Sequence, residues 1–211
     1  AMAGLSWQER TQRWDKSYTQ GFSDDFYENN NMSVGTLPNA PESSWNRWAM
    51  NSYFLRFAYT YKDRYSATVT GRVDGSSKFG KNNKYAFFPS FAFAWRASEE
   101  SFLKSVHWLN NLKVRTSIGE TGNQEIGNYA FFQNLGSENA IFGDNYYTAL
   151  YRSTFGNPDL KWEKTLQWDA GVDVSVLNQR IDLSLDYYYK KTSDLLLNAP
   201  IPGTSGLNTI M

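Results

Sequence analysis

Alternation of apolar and polar residues with period two is the dominant pattern along this chain, and it predicts β-strands. From Tyr53, the positions Tyr53, Leu55, Phe57, Tyr59 and Tyr61 form one apolar face, with Ser52, Arg56 and Thr60 between them; Phe54 and Ala58 blur the pattern. After a tight turn at Lys62-Asp63, a second run sets Tyr65, Ala67, Val69 and Val73 against Ser66, Thr68, Thr70 and Arg72, which reads as a hairpin. A third run carries Phe87, Phe91, Phe93, Trp95 and Ala97 opposite Ser90, Ala92, Ala94 and Arg96, with Pro89 placing a bulge or ladder end within it. Leu112, Val114, Thr116 and Ile118 alternate with Lys113, Arg115 and Ser117 in a fourth. In the clearest pair, Leu166, Trp168, Ala170, Val172, Val174 and Val176 alternate with Gln167, Asp169, Asp173 and Ser175. Ile181, Leu183, Leu185, Tyr187 and Tyr189 then alternate with Asp182, Ser184, Asp186 and Lys190, across a turn at Asn178-Gln179. The amino end, with Ala3, Leu5 and Trp7 against Ser6 and Gln8, predicts one more strand.

Runs of about ten to twelve residues are longer than the five or six of an average soluble strand and suit a tilted crossing of a bilayer. Connections alternate in length: long over 18–48, short at 62–63, longer over 74–84, very long over 120–164, short at 178–179. A barrel with tight turns on the periplasmic side and long external loops has this parity. The segment 98–111 falls on the tight-turn side and predicts a short helix near 98–110, capped by Ser98, with Glu99 and Glu100 in its first turn and Phe102, Leu103, Val106 and Leu109 as its stripe. Two further strands are expected inside 120–164, over 129–135 and part of 141–151, for seven to nine in all.

Composition sharpens the picture. Eight tryptophans, 14 tyrosines and 14 phenylalanines coexist with a mean hydropathy of −0.59. No run of about 18 apolar residues exists to make a membrane helix, whereas a barrel strand needs only alternation, lipid-facing apolar and lumen-facing polar. Lysine plus arginine equals aspartate plus glutamate at 21 each, so no basic field draws in nucleic acid, and no nucleic-acid partner is expected. Cysteine is absent and His107 is the sole histidine, so it reads as structural; no metal site, cofactor or nucleophilic triad is expected. Asp24-Asp25 reads as polar loop and Glu99-Glu100 as helix-start charge, because adjacent acids diverge on strand or helix and do not form a hydrolytic pair. The glycine- and serine-rich stretch 74–81 lacks the glycine-lysine-serine/threonine ending of a phosphate loop and reads as a hairpin loop. The chain is therefore not expected to be an enzyme. No charged-then-apolar leader opens the sequence, which reads as mature or as cut from something longer.

Specific strings add to the periodicity: Asp63-Arg64-Tyr65, Asp74-Gly75-Ser76-Ser77-Lys78-Phe79-Gly80, Phe88-Pro89-Ser90, Ala94-Trp95-Arg96, Ser98-Glu99-Glu100, Leu112-Lys113-Val114-Arg115, Gly119-Glu120-Thr121-Gly122-Asn123-Gln124, Asn157-Pro158-Asp159-Leu160-Lys161-Trp162-Glu163 and Asp186-Tyr187-Tyr188-Tyr189-Lys190-Lys191-Thr192. In this order they resemble SusC/RagA-type TonB-dependent transporters, over roughly 50–205. The resemblance implies an all-β, antiparallel transmembrane barrel of about 22 strands closed by a plug. It implies import of an oligosaccharide or peptide beneath a SusD-type surface lipoprotein, with TonB supplying energy through the plug. Plug, TonB-contacting segment and final aromatic-ended strand are missing, so a middle slice of barrel is expected in the outer membrane, in contact with lipid. Residues 1–48 match weakly, as a strand plus a long loop, and 49–211 carry the strands.

Candidate residues follow. Trp45, Trp48, Tyr146, Tyr147 and Tyr151 are read as loop aromatics that stack on sugar rings or form an interface girdle. Arg56, Arg72, Arg96, Arg115, Asp169, Asp173 and Asp186 are read as lumen-facing charges, opposite signs pairing between strands. The competing architectures are a soluble carbohydrate-binding β-sandwich and an independent eight-stranded barrel.

Overall fold

A computed structural model describes residues 1–211 apart from 27, 29, 208 and 211. The strands are β1 (Met2–Lys16), β2 (Thr19–Gln20), β3 (Leu37–Pro38), β4 (Glu42–Tyr61), β5 (Tyr65–Ser76), β6 (Tyr85–Arg96), β7 (Leu109–Asn123), β8 (Leu135–Phe142), β9 (Asn145–Arg152), β10 (Glu163–Val176), β11 (Ile181–Ser193), β12 (Ala199–Pro200) and β13 (Thr209–Ile210). Seven of them form one curled antiparallel sheet in the order β1-β4-β5-β6-β7-β10-β11; β2-β3, β8-β9 and β12-β13 are separate two-stranded pieces.

The period-two runs occupy this sheet in the phase their sequence implies. Register carries each apolar row across the strands: Leu5 faces Tyr53, Tyr53 faces Val73 and Val73 faces Phe87. Ile118 faces Trp168, which faces Tyr189. Among the described residues no second sheet and no helix covers this face; Leu183, Leu185, Tyr187 and Tyr189 stand exposed along β11. The β-sandwich alternative fails on that point, since its apolar face would be buried against a partner sheet. A closed eight-stranded barrel fails too, because β1 and β11 are open edges and do not pair.

Tight turns and long connections segregate. The β4–β5 turn closes with Lys62 and Asp63 at φ 50° and 54°, the left-handed pair whose twist matches two paired strands. The β6–β7 and β10–β11 connections lie at the same end and bond to each other, Leu177 N–H donating to Trp108 C=O at 2.9 Å. Residues 77–84, 124–162 and 17–41 emerge at the other end.

Several elements differ from the sequence expectation. The helix near 98–110 is absent: a three-residue 310 helix, Ala97–Glu99, is followed by successive turns. Glu100 takes extended backbone angles, φ −76° and ψ 146°, and its carboxylate is held by other partners, while Phe102 finds no apolar surface and stays exposed. The long loop expected to run to residue 48 ends at 41; β4 begins at Glu42, so Trp45 and Trp48 are strand residues. Register with β1 explains this, for Lys16 pairs with Glu42, Arg13 with Trp45 and Arg10 with Trp48. Apart from Trp14, Trp45 and Trp48, those ends of β1 and β4 carry polar residues on both faces, and ion pairs Arg47–Glu9 (2.9 Å) and Lys16–Glu42 (3.9 Å) stitch them together. Within 120–164 there are two strands, β8 and β9, paired as a hairpin around Gly143 at φ 60°: the strand expected within 141–151 is there, whereas 129–134, expected as the other, forms turns and irregular backbone, and the second strand lies over Leu135–Phe142 instead. Tyr146, Tyr147 and Tyr151 therefore lie on β9 and not in irregular loop.

The buried cluster of the described chain sits among the long connections, not on the sheet's apolar face. Phe79, Phe88, Ile126, Leu160 and Trp162 pack together, with Met50, Ala86, Ala130, Phe131 and Leu196 against them. Pro89 prepares its site. The β6–β7 ladder runs only from Arg96 to Ser90, so beyond Pro89 strand β6 pairs with β5 alone, and the loop aromatics gather where the ladder has opened.

Candidate functional site

The seven charges singled out from sequence share the polar face, as the register requires. Arg56 lies in the row of Thr70, Ser90, Gly119 and Gln167; Asp169 lies in that of Ser117, Ala92 and Thr68; Arg96 and Asp173 flank Lys113. Small residues fill much of the middle of this face, so its concavity, about 290 Å³ lined by Ser66, Thr68, Ala92, Ala94, Arg115 and Asp169, is open.

Only some of the charges meet. Arg115 Nε donates to Asp173 at 3.1 Å on the adjacent strand, and its Nη2 lies 2.7 Å from Asp186, one strand further. Gly171 makes the longer reach feasible: it is the residue between Arg115 and Asp186 in that row, and a Cβ there would lie 2.5 Å from Asp186 Oδ1 and 2.7 Å from Arg115 Cζ. The guanidinium passes over the glycine. Gly171→Leu should therefore break the Arg115–Asp186 contact; we expect about 1–2 kcal/mol of lost stability in the complete protein, read from urea unfolding, and no further loss when Asp186→Asn is added. Ser184 Oγ donates to Asp173 at 2.9 Å, and Ser175 bonds Asp182. Asp169 takes no arginine; Gln167 Nε2 donates to it at 2.8 Å and Ser117 Oγ at 3.2 Å. Arg72 turns to its own strand, Nε to Asp74 at 2.7 Å, with Nη2 donating to Ser52 at 3.1 Å. Arg56 and Arg96 have no ion pair among the described residues.

The aromatics divide between faces. Trp45 pairs with Arg13 on the side continuous with the apolar face, whereas Trp48 pairs with Arg10 on the polar side. Tyr147 and Tyr151 share one face of the β8-β9 hairpin and Tyr146 takes the other; all three are exposed.

Sequence reasoning missed a second polar knot, at the tight-turn end. Glu100 accepts from Arg64 Nη1 at 3.1 Å, from Trp95 Nε1 at 3.3 Å and from the Tyr65 hydroxyl. The hydrogen bonds from Tyr65 and Trp95, with Arg64 beside them, hold its carboxyl below the ordinary carboxylate range. A depressed pKa means that stabilisation is fully present above the unfolded value near 4.5 and disappears as pH falls through the folded value. The wild-type protein should thus keep its stability advantage over Glu100→Gln at neutral pH and lose it progressively as pH falls below the unfolded value near 4.5, measured by denaturant midpoints at each pH. The residues were visible in the strings Asp63-Arg64-Tyr65, Ala94-Trp95-Arg96 and Ser98-Glu99-Glu100; their convergence was not.

With the geometry in place, comparison with known proteins decides the family. A family model described as "TonB dependent receptor-like, beta-barrel" matches residues 3–210. The chain belongs to the TonB-dependent receptor β-barrel family. TonB-dependent receptor P3 of Formosa agariphila is 42% identical over 179 residues, covering 85% of this chain and 18% of that protein. TonB-dependent receptor SusC of Bacteroides thetaiotaomicron is 44% identical over 165 residues, covering 76% and 16%. Among solved structures, that of the RagAB peptide transporter superposes with a TM-score of 0.87 at 31% identity, over 99% of this chain and 23% of that one. The chain thus spans about a fifth of the length of the TonB-dependent receptors it matches. These relatives are receptors and transporters, not enzymes.

Proposed function

We propose that residues 1–211 form one partial barrel domain in the wall of an outer-membrane active transporter. In this reading the complete protein imports oligosaccharides or peptides, draws energy from TonB through its plug, and works with a SusD-type surface lipoprotein. The observation that carries it is the uncovered apolar face of the seven-stranded sheet. Its alternation on β11 runs from Ile181 to Tyr189, matching the roughly nine to eleven residues a tilted strand needs to cross hydrocarbon. The opposite face carries the charged rows, suited to a watery or plug-filled lumen. The open edges of β1 and β11 support the same reading, because unpaired backbone N–H and C=O groups are not tolerated against lipid, and neighbouring barrel strands would pair them. The tight turns then face the periplasm and the long connections the exterior. The family resemblance of the sequence strings allows an oligosaccharide or a peptide, and likeness to the RagAB peptide transporter favours the peptide.

The test is uptake in cells. Deleting the gene for the complete receptor should abolish import of labelled oligosaccharide or peptide and leave a second TonB-dependent nutrient unaffected; deleting TonB should abolish both. The purified receptor should bring a surface lipoprotein with it. Undiminished uptake of every saccharide and peptide tested after deletion would refute the proposal.

A further inference from the structure

Above the apolar band, the polar face of β1 and β4 ends in a cleft of about 410 Å³. Three pieces of chain build it. Arg10 and Trp48 stand directly opposite each other across β1 and β4, and Gln12 and Asn46 are the next pair on the same face. Lys78 comes from the β5–β6 connection, its Nζ 5.4 Å from the Trp48 ring centroid. That connection is pinned to β4 by Ala49 N–H donating to Ser77 Oγ at 2.9 Å and Ser77 N–H to Ala49 C=O at 3.0 Å. Asn128 lines the far side, from the connection after β7.

The charge balance of this cleft differs from that of Arg72 and Arg115, each of which touches carboxylates on the same face. Neither Arg10 nor Lys78 has an ion pair among the described residues. The nearest acid in sequence, Glu9, points to the other face and is held there by Arg47 at 2.9 Å. Two cations therefore line one cleft, Lys78 over the indole and Arg10 opposite it in register, neither with an ion-paired acid among the described residues, an arrangement that an incoming oxyanion would relieve. Gln12, Asn46 and Asn128 line the rest of the wall together with Ile126 and Gly127, and their amides offer donors and acceptors of the kind that hydroxyl groups satisfy, Asn46 Nδ2 also donating to Ser44 Oγ at 3.2 Å. Apart from the indole, the apolar lining is Ile126, which is 6% exposed and packs into the buried cluster, so little apolar surface is left for peptide side chains to fill.

We propose that this cleft is a subsite for an acidic saccharide, its carboxylate or sulfate held by Arg10 and Lys78, its hydroxyls by the three amides, and its ring against Trp48. The proposal rests on the transporter reading above and narrows the substrate class. Trp48 serves twice, as apolar wall and as the surface that keeps the Lys78 ammonium in place.

The experiment uses the complete receptor in detergent, with calorimetric binding of four probes: a galacturonic acid hexamer, a chondroitin sulfate hexasaccharide, an uncharged glucose hexamer and a hexaglutamate peptide. At least one acidic saccharide should bind more tightly than the glucose hexamer, and Arg10→Gln/Lys78→Gln should weaken it about tenfold or more while leaving the glucose hexamer unchanged. The uronate and sulfate probes separate the two oxyanions. On the unaltered receptor, raising salt from about 0.05 to about 0.5 M should weaken the acidic saccharide and not the neutral one, a readout independent of any variant. Equal binding of neutral and acidic hexamers, or acidic binding indifferent to both the double variant and salt, would overturn the subsite. Hexaglutamate binding with the same sensitivity, without acidic saccharide binding, would overturn the saccharide assignment. Import of a neutral saccharide alone refutes the subsite and keeps the transporter; no import of any saccharide or peptide refutes both.

Discussion

Leu185→Arg should lower the stability of the complete receptor in lipid vesicles by about 2–4 kcal/mol, the cost of placing a guanidinium near the middle of a barrel's lipid-facing wall. Leu185 is 69% exposed on β11, opposite Val172 and between Leu183 and Tyr187 on the same face. In water such a leucine would be nearly indifferent to replacement. In hydrocarbon it is where charge is most expensive, since no partner lies within reach on the apolar rows and a side chain at mid-height cannot reach the headgroups on either side. Ser184→Arg is the matched control: one residue away, it faces Asp173, already next to Asp186 and Arg115, where a further cation meets carboxylates and water. Urea unfolding from vesicles should separate the two variants by most of the stated cost. Equal midpoints for both would show that the two faces see the same medium, and the lipid assignment would be lost.

Phe79→Ala should remove about 3–5 kcal/mol from the ordering of the long connections while leaving the sheet in place. Phe79 is 0% exposed, its ring 5.2 Å from Trp162 in a tilted pair. Trp162 in turn meets Phe88 edge-on at 5.6 Å and donates its indole N–H to Lys84 C=O at 3.0 Å. Around this stack the 77–84 and 157–162 segments are bonded to each other, Asn83 Nδ2 donating to Asp159 C=O at 3.1 Å. An alanine at 79 leaves a cavity among Phe88, Ile126, Leu160 and Trp162, whose own packing limits how far they can close it. Amide hydrogen exchange should accelerate about a hundredfold or more in 77–84 and 157–162, and scarcely at all in β10 and β11. Unchanged exchange in those segments would mean that the cluster does not organise them. Because Lys78 neighbours Phe79, the same variant should also loosen the Arg10–Trp48–Lys78 cleft.

The two variants probe regions that differ in how readable they were. β5, β10 and β11 are announced by alternation because one face of the sheet is apolar and the other polar, so each residue's type reports its side. The amino-terminal half of β4 gives no such report. Ser43, Ser44, Asn46 and Arg47 are polar on both faces, and strand there follows from fifteen successive pairings with β1, information that no local window contains. The helix expected near 98–110 fails for a related reason. Its caps and stripe were present, yet Arg64, Tyr65 and Trp95 engage the Glu100 carboxylate and the backbone there is extended. The buried cluster reverses the case. Phe79, Phe88, Leu160 and Trp162 belong to strings that marked the family, without showing any period, because their roles are fixed by packing between loops.

By itself, then, the chain's sequence determined the alternating strands, which of their side chains share a face, the two tight turns and the family. All of these depend on neighbours within a few residues or on strings intact in one segment. Tertiary structure alone decided which charges meet: Arg115 and Asp186 are 71 residues apart and touch because Gly171, between them in register, carries no side chain. It also decided that Arg10, Trp48 and Lys78 share a cleft, since a strand pairing and a separate loop anchor must coincide in space before those three side chains have a common address.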